Sequence, residues 1–498
     1  MRLRASPSVD RVGWWLLVAL LVPRVIRLIY PYVWIEDDPL LESALAISRG
    51  LRPFVDFNLP QMPLLEWIAG AYIKVVGAST YSMEILNGAA IYATSVLIVL
   101  VGQRAVGRAA AVLGALLFAC SSLVFRYHLW TREFFVTALV LGAALIILRD
   151  TMATRRQALA VGALLWAACA IKLTAAVSVA GLLAFMAITQ RRAWRAVAVA
   201  LMIGLGLGLL AAFCYWRYGF DFLYQEFIFH FLKGTVTGTA MIAASILDVL
   251  LPLFVLGVIA LARARASNLG VWLVVSVLGP LALFYMFLSP TAWGHNYLDP
   301  LPWIAIVSGA GAAWLIRECR RLSVPGLVAV VLVAVSLLRW TPIRNLNWSK
   351  DSVYGFGFVP RRELTEVASA LREATGLNEE VVAPSFIAFE ANRIQLTRFP
   401  ENYGVIRAGE QEYLTHGFSA ARQQFGRRGF YDLIKDTSAY QADQFESAVR
   451  VGGPVNAVIL DSPLQWLPLV TATNDALLTR GFRAALKTTH YTLWLRAH

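Results

Sequence analysis

Charge is scarce in this chain: only 15% of its 498 residues are Asp, Glu, Lys or Arg. Soluble domains carry about 25% charged and about 45–50% apolar residues, whereas 58% of this chain is hydrophobic. That balance excludes a soluble globular protein over most of the length. Cysteine is scarce as well. Its four positions, Cys120, Cys169, Cys214 and Cys319, all lie in or beside apolar runs. With none beyond residue 319, the hydrophilic tail has no disulfide framework. There is no CxxC or Cys/His metal pattern, no internal repeat, no low-complexity segment, and no phosphate loop or catalytic triad in the tail.

What is present is Arg, far more than Lys, and a net charge of +13. The arginines recur in short clusters between apolar runs, which is the positive-inside pattern of membrane topology rather than a nucleic-acid footprint. The abundance of Arg and Ala fits a high-GC bacterial source. The composition is that of a polytopic α-helical membrane protein. About eleven spans follow from the need for about twenty apolar residues per crossing: 12–31, 83–102, 109–125, 134–149, 158–171, 173–190, 196–216, 245–262, 269–288, 298–316 and 323–340. The basic start, Met1-Arg2-Leu3-Arg4, leads into a run too long for a signal h-region and without a small-x-small cleavage site, so the first span is expected to be retained. Arg104/Arg108, Arg149/Arg155/Arg156, Arg191/Arg192/Arg195, Arg263/Arg265 and Arg317/Arg320/Arg321 then share one side with the N-terminus. That side is cytoplasmic, and the tail from about Thr341 is external.

The chain thus divides into a membrane domain, 1–340, with external loops 32–82 and 217–244, and an external α/β domain, 341–498. Loop 32–82 holds two helix-like pieces, Pro39–Arg49 and Pro63–Val76, suited to lie in the interface plane. Loop 217–244 carries Phe220, Phe222, Tyr224, Phe227, Phe229 and Phe231 and reads as another interfacial helix, its aromatics suited to anchoring. In the tail, strand-like runs (380–383, 457–460) alternate with helix-like ones (361–375, 475–481), over about 150 residues, enough for a core of its own.

Four places on the external face could carry chemistry. Glu36-Asp37-Asp38 follows the first span; it is either a solvated loop ending a helix, or a general base or metal ligand set, since adjacent carboxylates share protons or divalent ions and burial raises their pKa. Arg126-Tyr127-His128-Leu129-Trp130-Thr131-Arg132-Glu133 joins spans three and four. There Thr131 and Glu133 suit a helix cap, and Glu133 equally suits a second catalytic acid. Lys172 falls at the outer apex of a tight hairpin, because 158–190 is too long for one span and Arg clusters at both ends demand an even number of crossings. It can snorkel to headgroups or meet a phosphate. His295 and Tyr297, between spans nine and ten, are structural aromatics or polar site groups. Few spans carry a charge near mid-membrane, so these groups converge on one boundary.

These stretches resemble the GT-C superfamily of polytopic membrane glycosyltransferases, and most closely the branch of protein O-mannosyltransferases and the lipid A aminoarabinose transferase. The most specific stretch is Glu36-Asp37-Asp38, Ala46-Ile47-Ser48-Arg49-Gly50, Pro53-Phe54-Val55-Asp56-Phe57 and Pro63-Leu64-Leu65. Thr131-Arg132-Glu133 is similar to the segment holding the second acid, usually Asp. Ala170-Ile171-Lys172-Leu173-Thr174 is similar to a Thr-Lys hairpin, and His295-Asn296-Tyr297-Leu298-Asp299-Pro300-Leu301-Pro302 to a late His-x-Tyr-apolar-Pro motif. The resemblance implies transfer of a sugar from a polyprenyl-phosphate donor to a lipid, polysaccharide or protein acceptor at the outer face of the cytoplasmic membrane, with inversion. It implies Asp37 as the base, with Asp38 and Glu133 orienting the acceptor or sharing that role. Lys172 would hold the donor phosphate, helped by Arg132, and Glu36, His128, His295 and Tyr297 would line the substrates. Paired carboxylates also suit Mg or Mn, though the resemblance implies that no metal is obligatory. The rival classes are a transporter or flippase, which would show repeats and midplane polar or broken helices, and an inactive membrane scaffold, which would not need all of these charged elements together.

Overall fold

The computed structural model describes residues 11–35, 39–59, 61–150, 154–189, 193–232, 239–263, 269–285, 294–320, 357–395, 410–411, 413–423, 448–450, 453–461, 475 and 477–497. The expected last span, 323–340, and the acidic cluster Glu36-Asp37-Asp38 lie outside these residues.

The described chain is mostly helical. Helix α1 (Arg11–Ile29) leads through strand β1 (Tyr32–Ile35) to α2 (Pro39–Ser48) and α3 (Leu64–Val76), which pack on each other. Then come α4 (Thr80–Ala105), α5 (Arg108–Ala119), α6 (Ser122–Arg126), α7 (Glu133–Asp150), α8 (Arg155–Ile171), α9 (Ala175–Thr189) and α10 (Trp194–Tyr218). Short helices α11 (Phe220–Leu223) and α12 (Phe229–Leu232) flank a π-turn, and α13 (Thr239–Arg263), α14 (Leu269–Leu283) and α15 (Leu301–Arg320) complete the bundle. Local chemistry sets several boundaries. Ser79 and Ser82 exchange side-chain-to-backbone bonds in a capping box at α4, as Thr154 and Gln157 do at α8. Helix α5 stops short of its expected end at 125 because Ser121 is extended (φ −63°, ψ 137°), and α6 starts afresh.

The centre of the bundle is α4, α5, α7 and α15, with α1 against α4 and α5, α8 against α7 and α10, α9 against α14, and α13 against α15. The α5–α15 contact depends on small residues: a Cβ on Gly309 would lie 2.1 Å from the Ala110 carbonyl oxygen, and one on Gly114 2.5 Å from that of Ala305. Such close backbone approach is typical of helices packed in lipid, where small residues replace the hydrophobic driving force. Helices α4 and α10 are long and apolar enough to cross a membrane. Helix α10 also presents Val197, Leu201, Leu205, Leu209, Phe213 and Trp216 to the outside. An apolar stripe of that length is unfavourable in water and natural against acyl chains.

In place of a single helix over loop 217–244, the π-turn (Tyr224–Ile228) aims Gln225 at the first loop, where its amide accepts from Leu59 N–H (2.9 Å) and donates to the Phe54 carbonyl (2.8 Å). Phe54 sits at φ 68°, a conformation that favours glycine, and is held there by burial and by edge contact with Phe222.

The tail joins the bundle directly. Strand β2 (Gly357–Pro360) pairs antiparallel with β1, Tyr32 opposite Pro360 and Ile35 opposite Gly357. Helix α16 (Arg361–Ala374) follows, burying Leu364, Val367, Ala368 and Leu371 on one face. Strands β3 (Glu380–Val381) and β4 (Ile394–Gln395) pair in parallel around helix α17 (Ser385–Glu390). A three-stranded antiparallel sheet, β5 (Ala457–Asp461), β7 (Tyr491–Arg496) and β6 (Phe482–Lys487) in that spatial order, meets this unit through the Val382–Val458 bridge.

Candidate active site

Three groups of buried charges lie where helices end. The first surrounds Lys172. Helix α8 stops at Ile171, and Lys172 turns extended (φ −152°, ψ 116°) before α9 begins. Its ammonium is directed inward, 6% exposed, rather than toward headgroups. It donates to Glu133 Oε1 at 2.5 Å and to Asn296 Oδ1 at 3.1 Å, and stands 3.6 Å from Asp299 Oδ2. Glu133 is the first residue of α7, and Thr131 donates to its other oxygen. Asn296 comes from the 3-10 turn Gly294–Leu298, which also carries His295 and Tyr297. Tyr285 donates to Asp299 Oδ2 at 2.5 Å and stacks on Tyr297 with ring centroids 6.2 Å apart. His295 stands edge-on to Tyr127 at 6.2 Å.

The second group is Arg132 and Glu66. Arg132 Nε donates to Glu66 Oε1 at 2.8 Å, and a terminal guanidinium nitrogen lies 2.6 Å from the same oxygen. This pair ties α3 of the first loop to the Thr131-Arg132-Glu133 segment. Burial raises the Glu66 carboxyl and Arg132 draws it down; the first effect prevails.

The third group centres on Glu84 in the first turns of α4, with no exposed surface. Arg361 of the tail donates to both its oxygens, at 2.7 and 2.5 Å. Arg27 lies 3.6 Å away, and His128 Nδ1 4.0 Å. His128 is itself buried, and desolvation lowers its pKa to about 4.

The structure therefore brings Glu133, Lys172, His295 and Tyr297 together. It places Arg132 with Glu66 and His128 with Glu84. Glu36, Asp37 and Asp38 lie outside the described residues, between β1 and α2. Sequence reasoning passed over Glu66, Glu84, Arg27, Tyr285 and Arg361, and assigned no part to Asn296 or Asp299. Glu66 and Glu84 each stand in an otherwise apolar stretch, a usable signal that a partner exists. Arg361 carried no comparable signal, because its partner is 277 positions away. Among the described residues no three His, Cys, Asp or Glu side chains converge as metal ligands. Chemically, the arrangement offers a desolvated ammonium bracketed by two carboxylates and an amide, with tyrosine hydroxyl and imidazole groups nearby, at the end of the bundle.

Residues 60–216 match the family model described as dolichyl-phosphate-mannose-protein mannosyltransferase. No curated protein sequence matches the chain. Among solved structures, ArnT from Cupriavidus metallidurans bound to undecaprenyl phosphate is similar with TM-score 0.60 and 11% identity, covering 97% of this chain and 98% of that one. The apo state of ArnT is similar at TM-score 0.60, 13% identity and the same coverage. The oligosaccharyltransferase of Archaeoglobus fulgidus tethered to an acceptor peptide is similar at TM-score 0.50 and 11% identity, covering 99% of this chain and 75% of that one. The chain has the fold of the GT-C membrane glycosyltransferases.

Proposed function

We propose, with the GT-C fold as premise, that this protein transfers a sugar from a polyprenyl-phosphate donor to an acceptor hydroxyl with inversion at the anomeric carbon. The observation that supports this most is the Lys172 cluster, a buried ammonium held by Glu133, Asn296 and Asp299 at a junction between apolar helices. A charge kept there, out of water, needs a task. ArnT, with the same fold, has been obtained with undecaprenyl phosphate, and the matched family is named for a dolichyl-phosphate-linked sugar.

In the proposed reaction the acceptor oxygen attacks the anomeric carbon opposite the phosphate. The carbon–oxygen bond to the phosphate breaks, its electrons leave with the polyprenyl phosphate, and the hydroxyl proton passes to Asp37. Asp38 shares that role or orients the acceptor, together with Glu133. Lys172 stabilises charge growing on the leaving phosphate, and Arg132 keeps α3 and the start of α7 in register beside it. His295 and Tyr297 face the substrates from the turn before α15; Glu36 and His128 complete the polar surroundings. Adjacent Asp37 and Asp38 could admit a divalent cation, but the step as written needs none.

The topology expected from the sequence, about eleven spans with a cytoplasmic N-terminus and an external tail domain from about residue 341, supports a site on the outer face of a bacterial cytoplasmic membrane. The acceptor is a lipid, polysaccharide or protein hydroxyl there. The test is the purified protein in liposomes with a panel of radiolabelled polyprenyl-phosphate sugars and a crude envelope fraction as acceptor. Release of free polyprenyl phosphate with appearance of an anomerically inverted product is expected. Consumption of no donor in the panel would overturn the proposal.

A further inference from the structure

The tail grips the chain on both sides of residues 36–38. Ahead of them, three consecutive carbonyls are held. Tyr30 O accepts from Arg361 Nε (2.8 Å), Pro31 O from the Arg361 backbone N–H (2.8 Å), and Tyr32 O from Arg27 (2.9 Å). The β1–β2 ladder continues directly from there. Behind them, α17 packs on α2, and Arg49 just past α2 donates to Asn392 O (3.2 Å) and Oδ1 (2.8 Å). Asn392 sits at φ 54°, which turns the chain after α17 toward Arg49. Glu390 accepts from Thr80 N–H (2.6 Å), so the tail also caps α4, the helix that carries Glu84.

Arg361 is where these contacts meet. Its Nη2 donates to both oxygens of Glu84 while its Nε holds the Tyr30 carbonyl, and the guanidinium lies over the Tyr81 ring at 4.7 Å. Glu84 also attracts Arg27, which stacks on Phe125 at 5.0 Å and donates to its carbonyl. One carboxylate thus binds a guanidinium from the membrane bundle and another from the tail, and both arginines hold the backbone entering β1. A fork of donors with fixed geometry fits this task and a lysine would not.

We propose that Arg361 is a positioning residue for sugar transfer: through Glu84 and the Tyr30 carbonyl, its side chain fixes β1, the strand that leads in sequence into Glu36-Asp37-Asp38. This rests on the proposed function. It goes beyond it in giving the tail a part in the reaction without contact with the reacting atoms.

The experiment uses the full-length protein in liposomes. Arg361→Ala is expected to lower kcat by about 100-fold, the scale of a misplacement of about 1 Å. Donor KM should stay within about twofold, since Arg361 is not among the residues proposed to hold the donor phosphate. Hydrogen exchange of the β1 amides should rise in the same variant. A disulfide across the ladder, Val33→Cys with Val359→Cys in the Arg361→Ala background, should restore kcat, and dithiothreitol should remove the rescue. Unchanged exchange at β1, or a loss of kcat that matches loss of folded protein and is not restored by the disulfide, would overturn the proposal. Failure of the functional assignment would look different: the wild-type protein itself would transfer nothing, while the exchange measurement would still report on the Arg361 clamp.

Discussion

Lys172 and Glu133 meet at 2.5 Å between the end of α8 and the start of α7, with neither side chain more than 7% exposed. Neither charge is stable alone in such a place, and each explains why the other is retained. Lys172→Met is expected to lower folding stability by about 3 kcal/mol, because Glu133 and Asp299 would be left buried without a counter-ion, either charged or forced to take up a proton. The double variant Lys172→Met/Glu133→Gln should regain part of that loss while remaining inactive. Thermal unfolding in detergent alongside the transfer assay checks both.

The Arg132–Glu66 pair carries a separate prediction. Each of Arg132→Gln and Glu66→Gln should destabilise the protein, and the double variant should be less destabilised than the sum, with a coupling of about 1–3 kcal/mol. A double-mutant cycle on unfolding midpoints measures it. Strict additivity would mean that α3 is held to the Thr131-Arg132-Glu133 segment by packing alone.

The pH dependence of stability follows from His128. Its pKa is lowered from 6.5 to about 4 in the folded protein by burial. Between those values the unfolded chain binds a proton that the native chain does not, so stability rises with pH across the window. The contribution is complete above about pH 6.5 and lost toward pH 4. His128→Asn should flatten the profile of melting temperature between pH 4.5 and 7, with little change above pH 7.

Gly309 tests the packing of the bundle. A larger residue would drive its Cβ into the Ala110 carbonyl, 2.1 Å away. Gly309→Val should therefore destabilise by about 1–3 kcal/mol or more, the range for overpacking. Gly208, with nothing within 4 Å of its added Cβ, should accept Ala with little change in unfolding temperature.

Much of this fold is legible in the sequence, for identifiable reasons. The hairpin at Lys172 follows from length and Arg placement, since two short apolar runs between like-sided clusters must turn once. Glu133 was legible because it closes a short polar turn at the start of an apolar run, where a carboxylate suits the helix dipole. The motif 295–302 was legible as a cluster of polar groups before an apolar helix. What was not legible is pairing across distance. Glu84 and Arg27 look like ordinary boundary residues until Arg361 is brought to them, and a single sequence carries no sign of a contact 277 positions apart. Lys172 shows a second limit. Its position in the hairpin was legible, but whether it turns to headgroups or inward depends on where Asn296 and Asp299 arrive from the other side of the bundle. The π-turn at Tyr224–Ile228 was hidden for a related reason: an aromatic run shows no helical interruption until Gln225 finds the Leu59 and Phe54 backbone.

The most direct test of the central claim is the rate of sugar transfer by Asp37→Asn and Asp38→Asn in liposomes supplied with polyprenyl-phosphate sugars. If Asp37 takes the acceptor proton, Asp37→Asn lowers kcat by about 100-fold to 10,000-fold, the range for general-base catalysis, and Asp38→Asn has a smaller effect. Near wild-type transfer by both variants would contradict the account.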